Sequence, residues 1–406
     1  MAQIPSGKFL AKMMFIFGGA QVVTILATLV RSKVAALTIG SVGMGLSALF
    51  LSISGLMNNL FNLGLPDSGV QTLSKVCSAG DRQRINETIG LIRLWGVMTA
   101  VAAMLFTLIT APLLCKIYFH SFTSHLQEMM LLSLVPACTI IAALENAILK
   151  SLHRHRLLTY SIAVAAILTV VVSIPLYCFV GMDAIIHVIV ITSVMVMLQT
   201  LFFSYKANPT VPMFKCFLKG EHSFIQTFRE LWVKSRTMIM LGVALVITGV
   251  GSMGADLLIQ MYITTVSTLT ILGLYKVGYQ FSITYPAMIF SAVTNDYYPR
   301  LASLENHIPS RNLLVTRQTI VLLTNVVPCI IVFIVVLPWI VPLLLSSEFL
   351  DIVPMIRIGV LSIIVRCLGL PVCFMPLALG KKWDFVIMEL CSYTVFVLFV
   401  LLGFHF

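Results

Sequence analysis

Long apolar runs, separated by short clusters of charged and turn-forming residues, repeat from one end of this chain to the other. A helix needs roughly 20 apolar residues to cross the hydrocarbon layer of a bilayer. Runs of that order lie near 10–38, 43–66, 88–114, 127–150, 157–180, 183–205, 237–262, 267–294, 316–345, 354–379 and 384–404. The pattern predicts an all-α integral membrane protein of about eleven transmembrane helices, with little chain left outside the bilayer. The longest interval between runs, residues 206–236, holds Pro209 and Pro212 and then FIQTFRELWVK. Phe224, Phe228, Leu231 and Trp232 recur there at helical spacing above basic residues, which predicts an interfacial amphipathic helix. The first run follows Lys8 and Lys12 as in a signal peptide, but it exceeds the usual stretch of about 7 to 15 apolar residues and ends at Arg31 with no small-residue cleavage site. It reads as a retained first helix.

Composition strengthens this picture. The chain is 59% hydrophobic and 10% charged, a balance no soluble core can accommodate. Its nine cysteines are scattered, with no CxxC and no metal spacing, and read as packing residues. HRHR at His153 to Arg156 has neither ligand spacing nor an apolar strand around it, so it reads as a cytoplasmic anchor. No cofactor or metal is expected. A membrane enzyme such as a polymerase or acyltransferase is disfavoured because a large basic outer loop is missing.

The net charge of +11 would suggest nucleic acid in a soluble protein, but here the positive-inside rule accounts for most of it. Lys8, Lys12, Lys75, Arg82, Arg84, Lys150, Arg154, Arg156, the stretch Lys206 to Arg236, Arg300, Arg311, Lys381 and Lys382 fall on alternate connections; Lys116 is the one clear cation on the others. The amino terminus is thus expected inside and the carboxyl terminus outside. Arg93 and Arg317 remain near cytoplasmic helix ends, within snorkelling reach of the interface, and five further cations lie within or at the outer ends of the spans: Arg31, Lys33, Lys276, Arg357 and Arg366. A charge at a helix centre costs about 2.5 to 3.5 kcal/mol on insertion scales, so such residues face a polar cavity or a partner. Asp256 and Lys276 lie at similar depth in consecutive spans, and so do Arg93 and Glu145. The first pair is left open between structure and function; for the second the structural reading is preferred. No acid of matching depth is obvious for Arg366, or for Arg31 with Lys33.

A shift of about 229 residues superposes features of the two halves. Gly45 opens GLSALF in the second span and Gly273 opens GLYKVG in the eighth; LSKV from Leu73 matches LASL from Leu301, and APLL at Ala111 matches VPLL at Val341. Paired segments run the same way through the membrane, so the repeat is parallel. The expected domains are a six-helix lobe at 1–206, a linker at 207–236 and a five-helix lobe at 237–406, around a central cleft. The span at 384–404 corresponds to the fifth, and no counterpart of the sixth follows it.

SKVAALTIGSVGMGLSALF from Ser32, GLYKVGYQFSITYPAMIFSAVTNDYYPRLASL from Gly273, and the VTRQT and VPLLLSSEF that follow resemble the Wzx-type polysaccharide flippases, in the superfamily that also contains MATE-type multidrug exporters. DYYPRLA at Asp296 to Ala302 is the most specific part. The resemblance implies twelve or more helices in two lobes, alternating access, and transport of an undecaprenyl-diphosphate-linked oligosaccharide across a bacterial inner membrane for surface polysaccharide such as the O-antigen of lipopolysaccharide. It also implies possible company with other polysaccharide-assembly membrane proteins. Family members often carry a basic residue where this chain has Gln260, and Lys276 one helix later is the expected substitute.

Unassisted transfer of a diphosphate into hydrocarbon would cost tens of kcal/mol. Arginine forks phosphate oxygens and lysine supplies a point charge, so Arg31, Lys33 and Lys276 are the expected diphosphate ligands, with Arg366 as a further candidate. Asn58 and Asn62, one turn apart, and Tyr275, Tyr279 and Gln280 are the expected sugar contacts, with interhelical hydrogen bonding as the competing role. Asp256 is the candidate for proton or sodium coupling. A cation-coupled drug antiporter of the same fold and an inactive truncated flippase are the alternatives.

Overall fold

The computed structural model describes residues 7–119, 125–152, 154–208, 224–286, 308–345, 347–379 and 381–403, together with residues 290, 297 and 301. Every regular element among them is helical: α1 Gly7–Thr38, α2 Gly40–Phe61, α3 Leu65–Ala79, α4 Arg82–Phe119, α5 Leu126–Leu132, α6 Leu134–Ser151, α7 His155–Val180, α8 Ala184–Ala207, α9 Phe224–Val266, α10 Leu269–Tyr279, α11 Ile308–Leu344, α12 Val353–Cys373 and α13 Lys382–Gly403. Among the described residues, eight helical runs are long and apolar enough to cross a membrane, and the one spanning 156–207 holds α7 and α8 on either side of a turn at Gly181. Large apolar side chains such as Ile109, Phe179, Phe202, Val365 and Phe399 are exposed on these helices. In water that would be untenable; in lipid it is the ordinary outer surface. The protein is a multi-pass membrane protein.

Three local departures from the sequence reading have physical causes. The expected interfacial helix is not separate: α9 runs without a break from Phe224 through the seventh span to Val266. No glycine or proline lies between Phe224 and Met240 to stop it. Pro209 and Pro212 lie outside the described residues. The fourth span is interrupted at Ser133, between α5 and α6, because Pro136 has no N–H for the Leu132 carbonyl. The eighth span continues past α10 as a π-helical turn at Gln280–Thr284.

The sequence reading also missed α3. Asn62 Oδ1 accepts the Gly64 N–H at 2.8 Å, Leu63 and Gly64 take positive φ, and Pro66 at the second helical position restarts the chain as α3. A side chain at Gly64 is excluded twice, by φ +61° and by the Gly242 carbonyl oxygen, which would lie 2.4 Å from its Cβ.

Contacts divide the chain into two compact units, 1–34 with 50–254 and 35–49 with 255–406. Relative to lobes drawn at 206 and 237, the start of α2 joins the second unit and the first part of α9 the first. In the first unit α3, α4 and α6 bury Leu65, Leu73, Ile89, Ile92, Trp95, Ile140 and Leu144, and Ile239 belongs to the same core. In the second, α11 and α12 close over Leu337, Val341, Ile356, Val360 and Cys367, joined by Val277 and Phe281.

Within the second unit, α2 and α10 touch at the two glycines that the repeat equates. A Cβ on Gly45 would lie 2.3 Å from the Leu269 carbonyl oxygen, and one on Gly273 would lie 1.9 Å from that of Ser41. Each glycine therefore faces the carbonyl four residues before the other, a reciprocal contact about a local two-fold. Only glycine lets two helix backbones meet this closely.

Candidate functional site

Polar side chains inside the spans form two clusters, one in each unit. In the second unit, Lys276 of α10 donates to both carboxylate oxygens of Asp256 on α9, each at 2.8 Å. Gln260, one turn along α9, donates to Asp256 Oδ2 at 2.7 Å. Both members of the ion pair keep modest exposure, 16% for the Lys276 side chain and 15% for Asp256. The Tyr279 ring lies 5.6 Å from Lys276 Nζ and 6.1 Å from the Tyr275 ring. The Tyr275 hydroxyl is buried and has no hydrogen-bond partner among the described residues. Gln280 donates to the Tyr285 hydroxyl at 3.0 Å across the π turn.

Arg366 is exposed on α12, with its guanidinium 5.7 Å from the Phe290 ring centroid. Glu389 lies on α13, the helix that follows α12, and among the described residues it forms no ion pair with Arg366.

The first unit contains a fully buried node. Arg93 of α4 forks Glu145 of α6 through Nε to Oε1 at 2.8 Å and through a terminal nitrogen to Oε2 at 2.9 Å. The same nitrogen donates to Ser204 Oγ of α8 at 3.3 Å, and the Tyr205 ring lies 4.4 Å from the guanidinium carbon. Both charged side chains are 1% exposed. This geometry ties three helices together and leaves no access for cargo.

Beside it, α1, α6, α7 and α8 line an open-sided cavity of about 280 Å3. Thr24, Thr28 and Arg31 fall on one face of α1 and line it, opposite Asn146 of α6, Ser161 of α7 and Gln199 of α8. Among the described residues no carboxylate stands within ion-pair distance of Arg31.

The predicted site residues therefore divide. Arg31, Lys33, Asn58 and Asn62 belong to the first unit, and Asp256, Tyr275, Lys276, Tyr279, Gln280 and Arg366 to the second. The structure gathers Asp256, Tyr275, Lys276 and Tyr279 into one cluster. Asn62 has its oxygen committed to the turn before α3, whereas the Asn58 oxygen is buried with no hydrogen-bond partner among the described residues. The sequence reading missed Asn146, Ser161 and Gln199. A polar stripe at 24, 28 and 31 on α1 pointed to the cavity; single polar residues on three other helices did not.

Tyr297 of DYYPRLA donates its hydroxyl to the Pro371 carbonyl at 2.8 Å and is buried. That carbonyl belongs to the last turn of α12, where intrahelical donors run out, so this tyrosine serves as a cap. Asp296, Tyr298, Pro299, Arg300 and Ala302 lie outside the described residues.

The fold resembles that of several solved structures. An inward-facing multidrug resistance MATE family transporter of the MOP superfamily matches with TM-score 0.72 at 10% identity, over 92% of this chain and 84% of the other. An outward-facing structure of a MATE transporter of that superfamily gives 0.64 at 11% identity, over 94% and 84%. The Vibrio cholerae MATE transporter VcmN in its bent form gives 0.59 at 15% identity, over 94% and 86%. The chain thus has the MATE-like fold. Residues 44–354 match the family described as polysaccharide biosynthesis protein, and the chain belongs to that family. No curated protein matches the sequence significantly.

Proposed function

We propose that this protein is a flippase that moves a polyprenyl-diphosphate-linked oligosaccharide across a bacterial inner membrane by alternating access. Membership in a polysaccharide biosynthesis family supports the sugar cargo, and the fold of membrane transporters supports movement instead of bond chemistry. The observation that carries the reading is Arg31, a cation on a membrane helix that lines a cavity of mixed polar and apolar walls with no carboxylate at ion-pair distance among the described residues. An anion is the complement to such a site.

Lys276 enters conditionally, because its charge is engaged by Asp256. A coupling cation, proton or sodium, that neutralises Asp256 releases Lys276 for phosphate, so cation uptake and cargo binding are linked at one residue pair. Lys33 and Arg366 are assigned supporting roles as further cations along the path.

The alternative, a drug antiporter, draws on the same Asp256, since cationic cargo needs an embedded acid. Complementation of a flippase deletion separates the two. Surface polymer restored by the wild-type chain, and lost with Arg31→Ala at normal protein level, is the expected result. Dye efflux without restored polymer favours the antiporter.

A further inference from the structure

We infer that the exposed face of α11 is a contact surface for a second copy of this chain, joined across a two-fold axis by the side-chain amides of the two Asn325 residues. The inference concerns the outer surface of the second unit and is independent of the cargo.

Asn325 lies in the apolar run 316–345, about five residues from its middle, or about 8 Å along the helix axis. The hydrocarbon layer extends about 15 Å to either side of its centre, so the amide stands at hydrocarbon depth. It is exposed. Nδ2 donates one N–H to the Val321 carbonyl of its own helix at 2.7 Å, and among the described residues the second N–H and Oδ1 have no partner. Pro328, three residues on, has no N–H for the Thr324 carbonyl, which adds an acceptor at the same place. Ser362, Ser392 and Thr394, also exposed on spans, give their only proton to a carbonyl of their own helix. Asn325 keeps a donor to give. Polar groups left bare in hydrocarbon cost several kcal/mol each, so this patch calls for a polar cover.

The residues around it narrow the choice. Val321, Val332, Val335 and Trp339 are each more than half exposed, and Pro328 is exposed as well. From Val321 through Asn325, Pro328, Val332 and Val335 to Trp339 the steps are 4, 3, 4, 3 and 4 residues. That is the heptad seam along which two helices pack side by side, crossing at about 20°. A path for hydrated sugars is not walled by valine and tryptophan. Lipid suits the valines and leaves the amide bare.

A second copy satisfies both. Valines along a heptad seam with one asparagine facing its own image specify a parallel pair in a single register. Two copies inserted with the same topology are related by a two-fold along the membrane normal, so their α11 helices run parallel and Asn325 meets its counterpart at equal depth. An amide is its own complement: the free N–H of each donates to Oδ1 of the other.

The test is disulfide cross-linking in membranes from cells that express two differently tagged copies of the full chain. Under mild oxidation Val332→Cys, on the seam, should convert most of the chain to a dimer that carries both tags. Ile167→Cys, exposed on α7, should stay at the level of the unsubstituted chain, whose exposed cysteines among the described residues are Cys178, Cys329 and Cys391. Energy transfer between labelled copies in liposomes measures the affinity. Asn325→Leu should raise the dissociation constant about tenfold, the scale of a hydrogen bond between membrane helices, and Asn325→Gln should keep it within about threefold.

Cross-linking of Val332→Cys no greater than that of Ile167→Cys, or an unchanged dissociation constant in Asn325→Leu, overturns the inference. So does reaction of Val332→Cys with a membrane-impermeant maleimide in the absence of a dimer, which places this face on a water-filled path. The cross-linking result is obtained with Asn325 in place and stands even where Asn325→Leu folds poorly. Complementation by a chain that does not pair removes this contact alone, while pairing without complementation removes the transport reading alone.

Discussion

Arg93 and Glu145 show how a charge can be embedded without serving the cargo. With both side chains 1% exposed and the fork closed by Ser204 and Tyr205, removing one partner strands the other in a dry interior. Arg93→Met or Glu145→Leu alone should therefore destabilise the protein by about 3–5 kcal/mol. The double substitution should lie closer to wild type than either single one, because no bare charge remains. Thermal unfolding of the purified protein measures this, and additive losses would contradict it. Asp256 and Lys276 differ in the respect that matters: their pair is direct, but both retain exposure and sit beside Tyr275 and Tyr279. A pair that water can reach separates at lower cost, which suits a switch better than a rivet.

At the scale of elements, the crossing of α2 and α10 has the least tolerance. Gly45 and Gly273 each meet a backbone carbonyl at a distance that no Cβ could occupy. Neither carbonyl is a flexible side-chain end, so the helices themselves must move apart. Gly45→Ala and Gly273→Ala should each lower the yield of folded protein and abolish complementation, whereas Gly254→Ala, with open space around its Cβ, should be silent. Size-exclusion profiles and polymer assays read both. The π turn at Gln280–Thr284 is the other unusual element. Wide turns of this kind interrupt α-helices mostly at working sites, and this one directly follows Tyr275, Lys276 and Tyr279.

For the whole molecule, the charge ledger makes a prediction about topology. The cytoplasmic connections are assigned nearly all loop cations, and Lys116 is the clear exception. Alkaline phosphatase fused after Phe406 should be active, and a fluorescent protein at the same point should be dark. The reverse result would invert the assigned orientation. Under the proposed orientation Asp256 and Lys276 are nearer the outer than the inner face.

Apolar run length alone made the helices legible, since a segment in lipid must satisfy its backbone internally and has no other regular option but a closed barrel. The repeat was legible as well, and it named the two glycines that prove to touch. Depth counting foresaw both ion pairs, because consecutive antiparallel helices bring equal depths together. Sequence distance hid the cavity: Asn146, Ser161 and Gln199 are single polar residues on three helices, and only packing brings them opposite Arg31. Periodicity decides what one helix presents to its surroundings, but which helix stands opposite depends on side-chain volumes and crossing angles summed over the fold. The chemistry of the cavity is therefore a property of the tertiary structure.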